Sequence, residues 1–124
     1  MTNLHFPRSE YDRRLIVAVR ALGQQGLHGV VLFRQESMYY LSGYDTSGYT
    51  MFQAMYLGVD GRMALLTRSA DRIQSRVTSI IPDIRIWTDR EEASPAEELR
   101  ELLRDYGCEN QTIGIEYHAY GLTG

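Results

Sequence analysis

Three histidines and a run of acidic residues are the parts of this 124-residue sequence whose types could do catalytic or metal chemistry. The histidines are His5, His28 and His118. None lies at a metal-ligand spacing from another histidine or a carboxylate, such as His-Glu-x-x-His. His5 precedes the first predicted helix and His28 lies in a helix-to-strand turn, so we interpret both as exposed or structural. A structural role is also the simpler interpretation of His118.

The acidic run spans a loop and the polar face of a predicted helix, where carboxylates near the N-terminus favour the helix dipole. We interpret it as a solvated face on which Glu97 pairs with Arg100 and Glu101 with Arg104. The members of the run are Asp89, Glu91, Glu92, Glu97, Glu98 and Glu101. Cys108 is the single cysteine, so neither an intramolecular disulfide nor a thiolate metal site can form within the chain. With no phosphate loop or Gly-x-Ser-x-Gly motif either, the residues predict no self-contained catalytic site.

A tyrosine-rich stretch, Tyr39–Tyr49, packs four tyrosines and two glycines into eleven residues. Tyrosine combines apolar area with a hydroxyl that needs a partner, and glycine permits turns that other residues cannot make. Two interpretations stay open: a tight turn that covers the end of the sheet, or one wall of a ligand site at a strand end. Asp45, inside the stretch, has no second acid, base or metal partner in the sequence.

Composition indicates one globular domain over residues 1–124, with 44% hydrophobic and 23% charged residues. A net charge of -3 argues against broad binding to nucleic acid or a membrane surface. The sequence contains no apolar run near membrane-spanning length, and Met1–Pro7 has no signal-peptide pattern. We therefore expect a cytoplasmic protein with no nucleic-acid or membrane partner.

The first element predicted to support these residues is an amphipathic helix over Arg8–Gly26. Ser9 is its predicted N-cap, with Asp12 as the partner in a capping box. Arg13, Arg14 and Arg20 are placed on or beside its solvated side. Its buried face has helical spacing and consists of Tyr11, Leu15, Ala18, Val19 and Leu22.

A mixed sheet follows from the next segments. Gly29–Arg34 is an apolar run typical of a strand covered on both faces, and 35–41 predicts a short helical turn. Met51–Val59 and Arg62–Thr67 flank Asp60-Gly61, the signature of a hairpin with a two-residue turn. Because a hairpin is antiparallel, the sheet cannot be purely parallel.

The second half predicts two helices and two strands. Ser69–Ser79 is a helix that stops before Pro82, and Ile84–Trp87 is a short strand. Ser94-Pro95-Ala96-Glu97 starts a helix that ends at Gly107, and Thr112–Glu116 is the last strand. The buried stripe of that helix is Leu99, Leu102, Leu103 and Tyr106. The order of elements predicts an α/β fold: a single layered domain with a mixed β-sheet flanked by helices.

Four motifs, in order, resemble the N-terminal domain of the creatinase/prolidase family, the pita-bread metallohydrolases and Xaa-Pro peptidases. They are Phe6-x-x-x-Glu10-Tyr11-x-x-Arg14, Gly26-Leu27-His28-Gly29-Val30-Val31-Leu32, Tyr39-Tyr40-Leu41-Ser42-Gly43-Tyr44 and Ile113-Gly114-Ile115-Glu116. The resemblance implies a ribonuclease-H-like α/β domain without a metal of its own. It also implies a following catalytic domain, absent from this chain, that holds two divalent ions: manganese, cobalt or zinc.

The same resemblance implies a homodimer in which loops of this domain help to shape the partner subunit's site for a small peptide or amide. The residues in the matching loop and strand entry are Tyr44, Asp45, Tyr49, Phe52 and Gln53. No arginine lies between Tyr44 and Gly58, unlike a creatinase-type carboxylate clamp. An aromatic residue followed by glutamine resembles the ectoine-hydrolase-like or general Xaa-Pro branch better.

Two other classes of function remain as alternatives at this point. Domains of this fold also occur as catalytically silent binding modules that bind peptides or histones. A third possibility is a stand-alone protein that binds a small ligand at the Tyr39–Tyr49 stretch.

Overall fold

The structure, a computed structural model, describes residues 6–43, 53–68, 80–87 and 94–116. Within these ranges it contains three helices and five strands: α1 (Arg8–Gln24), β1 (Gly29–Leu32), α2 (Gln35–Ser42), β2 (Ala54–Gly58), β3 (Met63–Arg68), β4 (Asp83–Trp87), α3 (Pro95–Asp105) and β5 (Ile113–Ile115). The predicted helix Ser69–Ser79 lies outside the described residues. The other predicted helices and strands are confirmed, with ends that shift by a few residues.

The sheet is mixed, as predicted, and its strand order is β4-β3-β2-β1-β5. β2 pairs antiparallel with both β1 and β3. The pairs β1–β5 and β3–β4 are parallel. β2 therefore runs against the other four strands, and the carboxyl ends of those four meet at one edge, called here the carboxyl edge.

Two apolar layers cover the sheet, because side chains alternate between its faces along each strand. On the α1–α2 face, Met55, Leu57 and Leu65 are buried against residues of α1 and α2. On the α3 face, Tyr56 and Leu66 are buried against residues of α3. The predicted buried faces of α1 and α3 both pack into these layers.

Helix α1 begins differently from the prediction. Its N-cap is Pro7, which has no side-chain cap, so the predicted capping box of Ser9 and Asp12 is wrong. Asp12 instead accepts a hydrogen bond from Arg8 Nε at 3.2 Å. The end of the helix agrees with the sequence: Gly26 has φ +70°, and its N–H donates to the carbonyl of Gly23.

The hairpin between β2 and β3 has a three-residue loop, because Gly58 N–H donates to the carbonyl of Arg62. The N–H of Gly61 donates to the carbonyl of Gly58, and Gly61 has φ +89°. A type I turn followed by a left-handed glycine is the usual three-residue alternative to the predicted two-residue turn. Asp60 stabilises it by accepting hydrogen bonds from the N–H and Nε of Arg62 at 3.0 and 2.7 Å.

Helix α3 confirms both of its predicted ends. The N–H of Glu97 donates to Ser94 Oγ at 3.4 Å, and Pro95 occupies the first turn. At the other end Gly107 has φ +74°, and the N–H groups of Gly107 and Cys108 donate to carbonyls of the last turn. These bonds form a Schellman motif, which satisfies carbonyls that the helix itself leaves unpaired.

A polar network joins β4 to the end of α3, at the edge of the sheet opposite the carboxyl edge. The hydroxyl of Tyr106 donates to Asp83 Oδ2 at 2.7 Å. Arg85 bridges Asp83 at 3.1 Å and Asp105 at 2.6 Å. The Tyr106 ring packs against Tyr56, with ring centroids 5.1 Å apart.

Burial makes this network sensitive to alkali. Burial, with the bond to Asp83, raises the pKa of Tyr106 to about 12. Since a tyrosine in the unfolded chain ionises near pH 10, the unfolded state releases its proton first. The contribution of Tyr106 to the free energy of unfolding is therefore fully present below about pH 10. It is lost as the pH rises from about 10 toward about 12.

Urea denaturation at several pH values, followed by circular dichroism and phenolate absorbance, measures this effect. Tyr106→Phe removes the ionisable group, so its stability is expected to fall less steeply above about pH 10. Equal slopes for the wild type and Tyr106→Phe would contradict the assignment.

Candidate functional site

One of the two interpretations left open by the sequence puts a ligand site at a strand end, and Gln53 lies at such an end, on the carboxyl edge. Gln53 directly precedes β2, whose first residues pair with the ends of β1 and β3. It is the only predicted site residue within the described ranges. The others, Tyr44, Asp45, Tyr49 and Phe52, lie outside them, between the described residues Gly43 and Gln53.

Two buried polar side chains lie at this edge, Gln53 and Thr67, each at most 4% exposed. Continuing the β2–β3 register by one residue from Ala54 and Leu66 places Gln53 opposite Thr67. Alternation puts both on the α1–α2 face. Ser42, the last residue of α2, is also buried, and its Oγ donates to the Met38 carbonyl at 2.6 Å.

Sequence reasoning missed the role of Thr67. A threonine at the end of an apolar run is an ordinary strand residue by sequence, because threonine is common in strands and solvent can satisfy its hydroxyl. Only its register beside Gln53, together with complete burial, marks it as part of the edge.

An open groove of about 400 Å³ lies beside α2 where that helix follows β1. Its lining residues are Leu32, Arg34, Glu36, Ser37, Tyr40 and Leu41. The side chains of Arg34 and Glu36 form a loose ion pair at 3.7 Å, and both are more than half exposed. The groove therefore presents a cation, an anion and an aromatic ring to solvent.

Arg14 supports one wall of this groove, in contrast to its predicted position on the solvated side of α1. Its side chain is only 10% exposed. The guanidinium lies 4.3 Å from the ring centroid of Tyr40 and 4.7 Å from that of Phe6. It also donates to the carbonyl of Tyr40 and to Glu10 Oε2, both at 2.8 Å. Arg14 is thus a buried connection between α1 and α2, because aromatic faces and a carbonyl replace its solvent.

The carboxylate of Glu10 forms an ion pair with the Arg14 guanidinium. Hydrogen bonds from Arg13 and then from Arg14 lower the pKa of Glu10 to about 2. Arg13 contributes two bonds, from Nε at 3.1 Å and from Nη2 at 2.6 Å. Arg13 itself is mostly exposed, as predicted.

The remaining candidate residues take structural positions where the structure describes them. His28 Nε2 lies 3.0 Å from the carbonyl of Tyr106, which agrees with its predicted structural role. Within the described ranges, Arg104 pairs with Glu109 at 3.1 Å rather than with Glu101 as predicted. His5 and His118 lie outside those ranges, as do three members of the acidic run: Asp89, Glu91 and Glu92.

Among the described residues, no group of three or more histidine, cysteine or acidic side chains could hold a metal ion. None of the described helices is both long and apolar enough to cross a membrane.

These features define an α/β domain with a mixed five-stranded sheet and polar groups gathered at its carboxyl edge. The chain belongs to the creatinase/prolidase N-terminal domain family, whose model matches residues 14–123. This confirms the resemblance and the fold class that the sequence predicted.

One relative by sequence is an uncharacterized hydrolase/peptidase, y4tM, of Sinorhizobium fredii. The two are 28% identical over 130 residues, which cover 99% of this chain and 33% of the relative. The chain therefore spans about a third of the length of that relative.

Solved structures with the same fold include a dipeptidase from Pyrococcus horikoshii OT3, with a TM-score of 0.70 and 24% identity over 83% of this chain and 28% of that one. The N-terminal domain of a Xaa-Pro dipeptidase from Lactobacillus brevis has a TM-score of 0.69 and 13% identity, covering 83% of this chain and 75% of that one. A Xaa-Pro aminopeptidase from Streptococcus pyogenes has a TM-score of 0.68 and 19% identity, covering 88% of this chain and 75% of that one. At these identities the likeness shows the fold.

Proposed function

We propose that this chain is the non-catalytic N-terminal domain of a cytoplasmic Xaa-Pro dipeptidase-like metallohydrolase and helps to shape its substrate site. The observation that carries this is the position of Gln53, which is buried at the carboxyl edge beside Thr67 and follows the tyrosine-rich stretch by four residues. Open α/β sheets bind ligands at this edge. The peptidase names of the relatives support this class over a stand-alone ligand-binding or histone-binding module.

In this proposal the hydrolytic chemistry belongs to a following catalytic domain, which carries two divalent ions such as manganese, cobalt or zinc. The described residues do not fit a metal site, so no step of the reaction is assigned to them. Their contribution is to position and enclose a small peptide or amide next to that domain, with the subunits assembled as a homodimer. Tyr44, Asp45, Tyr49, Phe52 and Gln53 are the proposed contacts.

Hydrolysis of Ala-Pro in added manganese or cobalt tests the proposal. The longest polypeptide that contains this chain in its source cell is expected to cleave the peptide, whereas the 124-residue chain alone is expected to be inactive. No cleavage of any Xaa-Pro dipeptide by the longer polypeptide would refute the proposed function.

Substitutions at the edge test the role of this domain separately. Phe52→Ala and Gln53→Ala in the active polypeptide are expected to raise KM or lower kcat by about tenfold with the fold intact. Gln111→Ala is the matched control, because Gln111 is exposed and lies just before β5, at the side of the sheet opposite the carboxyl edge. Unchanged kinetics in both edge variants, with circular dichroism confirming the fold, would remove these residues from the site.

A further inference from the structure

We propose that the groove beside α2, together with the exposed ring of Phe6, is the surface on which the domain that follows this one docks. The groove and Phe6 are called here the docking surface. This inference rests on the proposed function, which assigns catalysis to a following domain, and it adds the surface of this chain that meets that domain.

Two aromatic rings form the apolar part of the docking surface. The side chain of Tyr40 is 50% exposed and that of Phe6 is 41% exposed. The Arg14 guanidinium lies against both rings, and it also donates to the Tyr40 carbonyl. Because this contact already orients the rings, a partner that packs on them immobilises few side chains. Aromatic residues and arginine are also enriched at the centres of protein interfaces.

Charged side chains of both signs border the aromatic rings. The Arg34 side chain is 52% exposed and the Glu36 side chain is 78% exposed, and the two charged groups lie 3.7 Å apart. An exposed ion pair of this kind contributes little to the stability of the domain. Both groups can therefore exchange each other for charges on a partner at little cost, as the polar rim of an interface requires.

The chain leaves the sheet beside the docking surface. Glu116, the last described residue, donates its N–H to the Val31 carbonyl at 3.0 Å and extends the β1–β5 ladder. Its carboxylate caps α2, accepting hydrogen bonds from the N–H of Arg34 at 2.7 Å and from Ser37 Oγ at 2.6 Å. Arg34 and Ser37 both line the groove. The segment that follows Glu116 therefore starts at the docking surface.

The short connection favours the following domain over a second copy of this chain. The family model ends at residue 123, and the seven residues from 117 to 123 reach at most about 25 Å. The match covers 33% of the sequence relative, so about two thirds of that protein lie outside it. A domain attached through so short a connection is present at the groove at an effective concentration on the order of 1 mM. A second copy competes only in a solution of similar concentration.

Hydroxyl-radical footprinting, read by mass spectrometry, tests the docking surface. Oxidation of Tyr40 and Phe6 is compared between the 124-residue chain and the longest polypeptide that contains it, both at the same low concentration. Both rings are expected to be oxidised about fivefold more slowly in the longer polypeptide, because the centre of an interface excludes water. Equal oxidation rates of Tyr40 in the two proteins would overturn the proposal.

Arg100 is the control side chain for this measurement. It is exposed on α3, which covers the opposite face of the sheet, and its oxidation rate is expected to be the same in both proteins. Slower oxidation of Arg100 without slower oxidation of Tyr40 would place the contact on α3 and overturn the proposal.

The dependence on protein concentration separates the two possible occupants. Oxidation of Tyr40 in the longer polypeptide is expected to be slow at every concentration, because an attached domain does not dissociate on dilution. Oxidation of Tyr40 that slows only as either protein is concentrated would assign the surface to a second copy and overturn the proposal.

Tyr40→Ser in the longer polypeptide tests the contribution of the ring, with chymotrypsin cleavage after Tyr117 and Tyr120 as the readout. Loss of a central aromatic contact is expected to release the docked domain and to speed this cleavage about tenfold. In the 124-residue chain the same substitution is expected to leave the cleavage rate unchanged, since no domain is released. An unchanged rate in the longer polypeptide, or an equal increase in both proteins, would contradict docking on Tyr40.

Ile16→Ser is the matched control variant, because Ile16 is a similarly exposed apolar residue, at 58%, outside the docking surface. It is expected to leave the cleavage rate of the longer polypeptide unchanged. Equal increases in Ile16→Ser and Tyr40→Ser would overturn the assignment of the surface.

Footprinting also separates this inference from the proposed function. Slow oxidation of Tyr40 in a longer polypeptide that cleaves no Xaa-Pro dipeptide supports the docking surface and refutes only the proposed function. Cleavage of Ala-Pro by a longer polypeptide in which Tyr40 stays as reactive as in the 124-residue chain overturns only the docking surface.

Discussion

Gly29→Ala is expected to lower the free energy of unfolding by about 3 kcal/mol, because the added methyl group has no room. A Cβ at Gly29 would lie 2.5 Å from Cε1 and 2.6 Å from the hydroxyl oxygen of Tyr56. The Tyr56 ring cannot move away easily. It is 1% exposed, it packs against Tyr106, and its hydroxyl would also lie 2.9 Å from a Cβ at Gly58, the cross-strand partner of Gly29.

Gly23→Ala is the matched control for this prediction. A Cβ at Gly23 would meet its nearest neighbour, Val59 Cγ2, at an ordinary 3.9 Å. Gly23 lies within α1, where alanine is favoured over glycine, so this variant is expected to gain about 0.5 kcal/mol. Urea denaturation of both variants measures the two changes. A loss below about 1 kcal/mol for Gly29→Ala would show that the space around Tyr56 is less restricted than the contacts indicate.

Arg14→Ala is expected to lower the free energy of unfolding by about 3 kcal/mol, although arginines on a helix surface can usually be replaced with little effect. The substitution removes the guanidinium that stacks on Tyr40 and Phe6 and donates to the Tyr40 carbonyl. It also leaves a space between α1 and α2. Arg14→Lys is expected to recover little of the loss, because an ammonium group cannot stack on the rings and bind Glu10 and the carbonyl together.

Arg13→Ala is the control for Arg14→Ala, because Arg13 binds the same Glu10 carboxylate from an exposed position. Its removal is expected to change stability little, as surface ion pairs contribute little on average. Chemical denaturation at low and high salt measures both variants, and only the loss in Arg14→Ala should persist at high salt. Equal losses for the two variants would contradict a buried role for Arg14.

The fold elements were predictable where their signals are local. Ser94 with Pro95 begins a helix, and Gly26 and Gly107 end helices, because each acts on backbone groups within a few residues of itself. The capping box at Ser9 failed although it has the same local form. The N-cap is Pro7, two residues before the predicted one, and α1 begins at Arg8, so Ser9 lies inside the helix.

The hairpin shows how far a local signal extends. Asp60-Gly61 identified the turn and made the sheet mixed, since glycine readily adopts the left-handed conformation found at Gly61. The number of residues in the loop also depends on how Gly58 and Arg62 pair, and that pairing is decided by the registers of β2 and β3.

The candidate site was predictable only in part. Turn chemistry points to the tyrosine-rich stretch, and the resemblance to the family points to Gln53. Neither gives a reason to select Thr67, whose relevance depends on its position opposite Gln53 in the sheet.

The sequence by itself determined the described helices, the strand-forming runs and the mixed character of the sheet, because these depend on residue type and short-range spacing. The resemblance of its four motifs identified the family. The tertiary structure alone decided the strand order, the burial of Arg14 and the cap that Glu116 supplies to α2. Arg14 meets Tyr40 across 26 positions, and Glu116 meets Arg34 across 82. No short-range pattern specifies such pairs, because their energies appear only after the packing of the sheet and helices has brought the residues together.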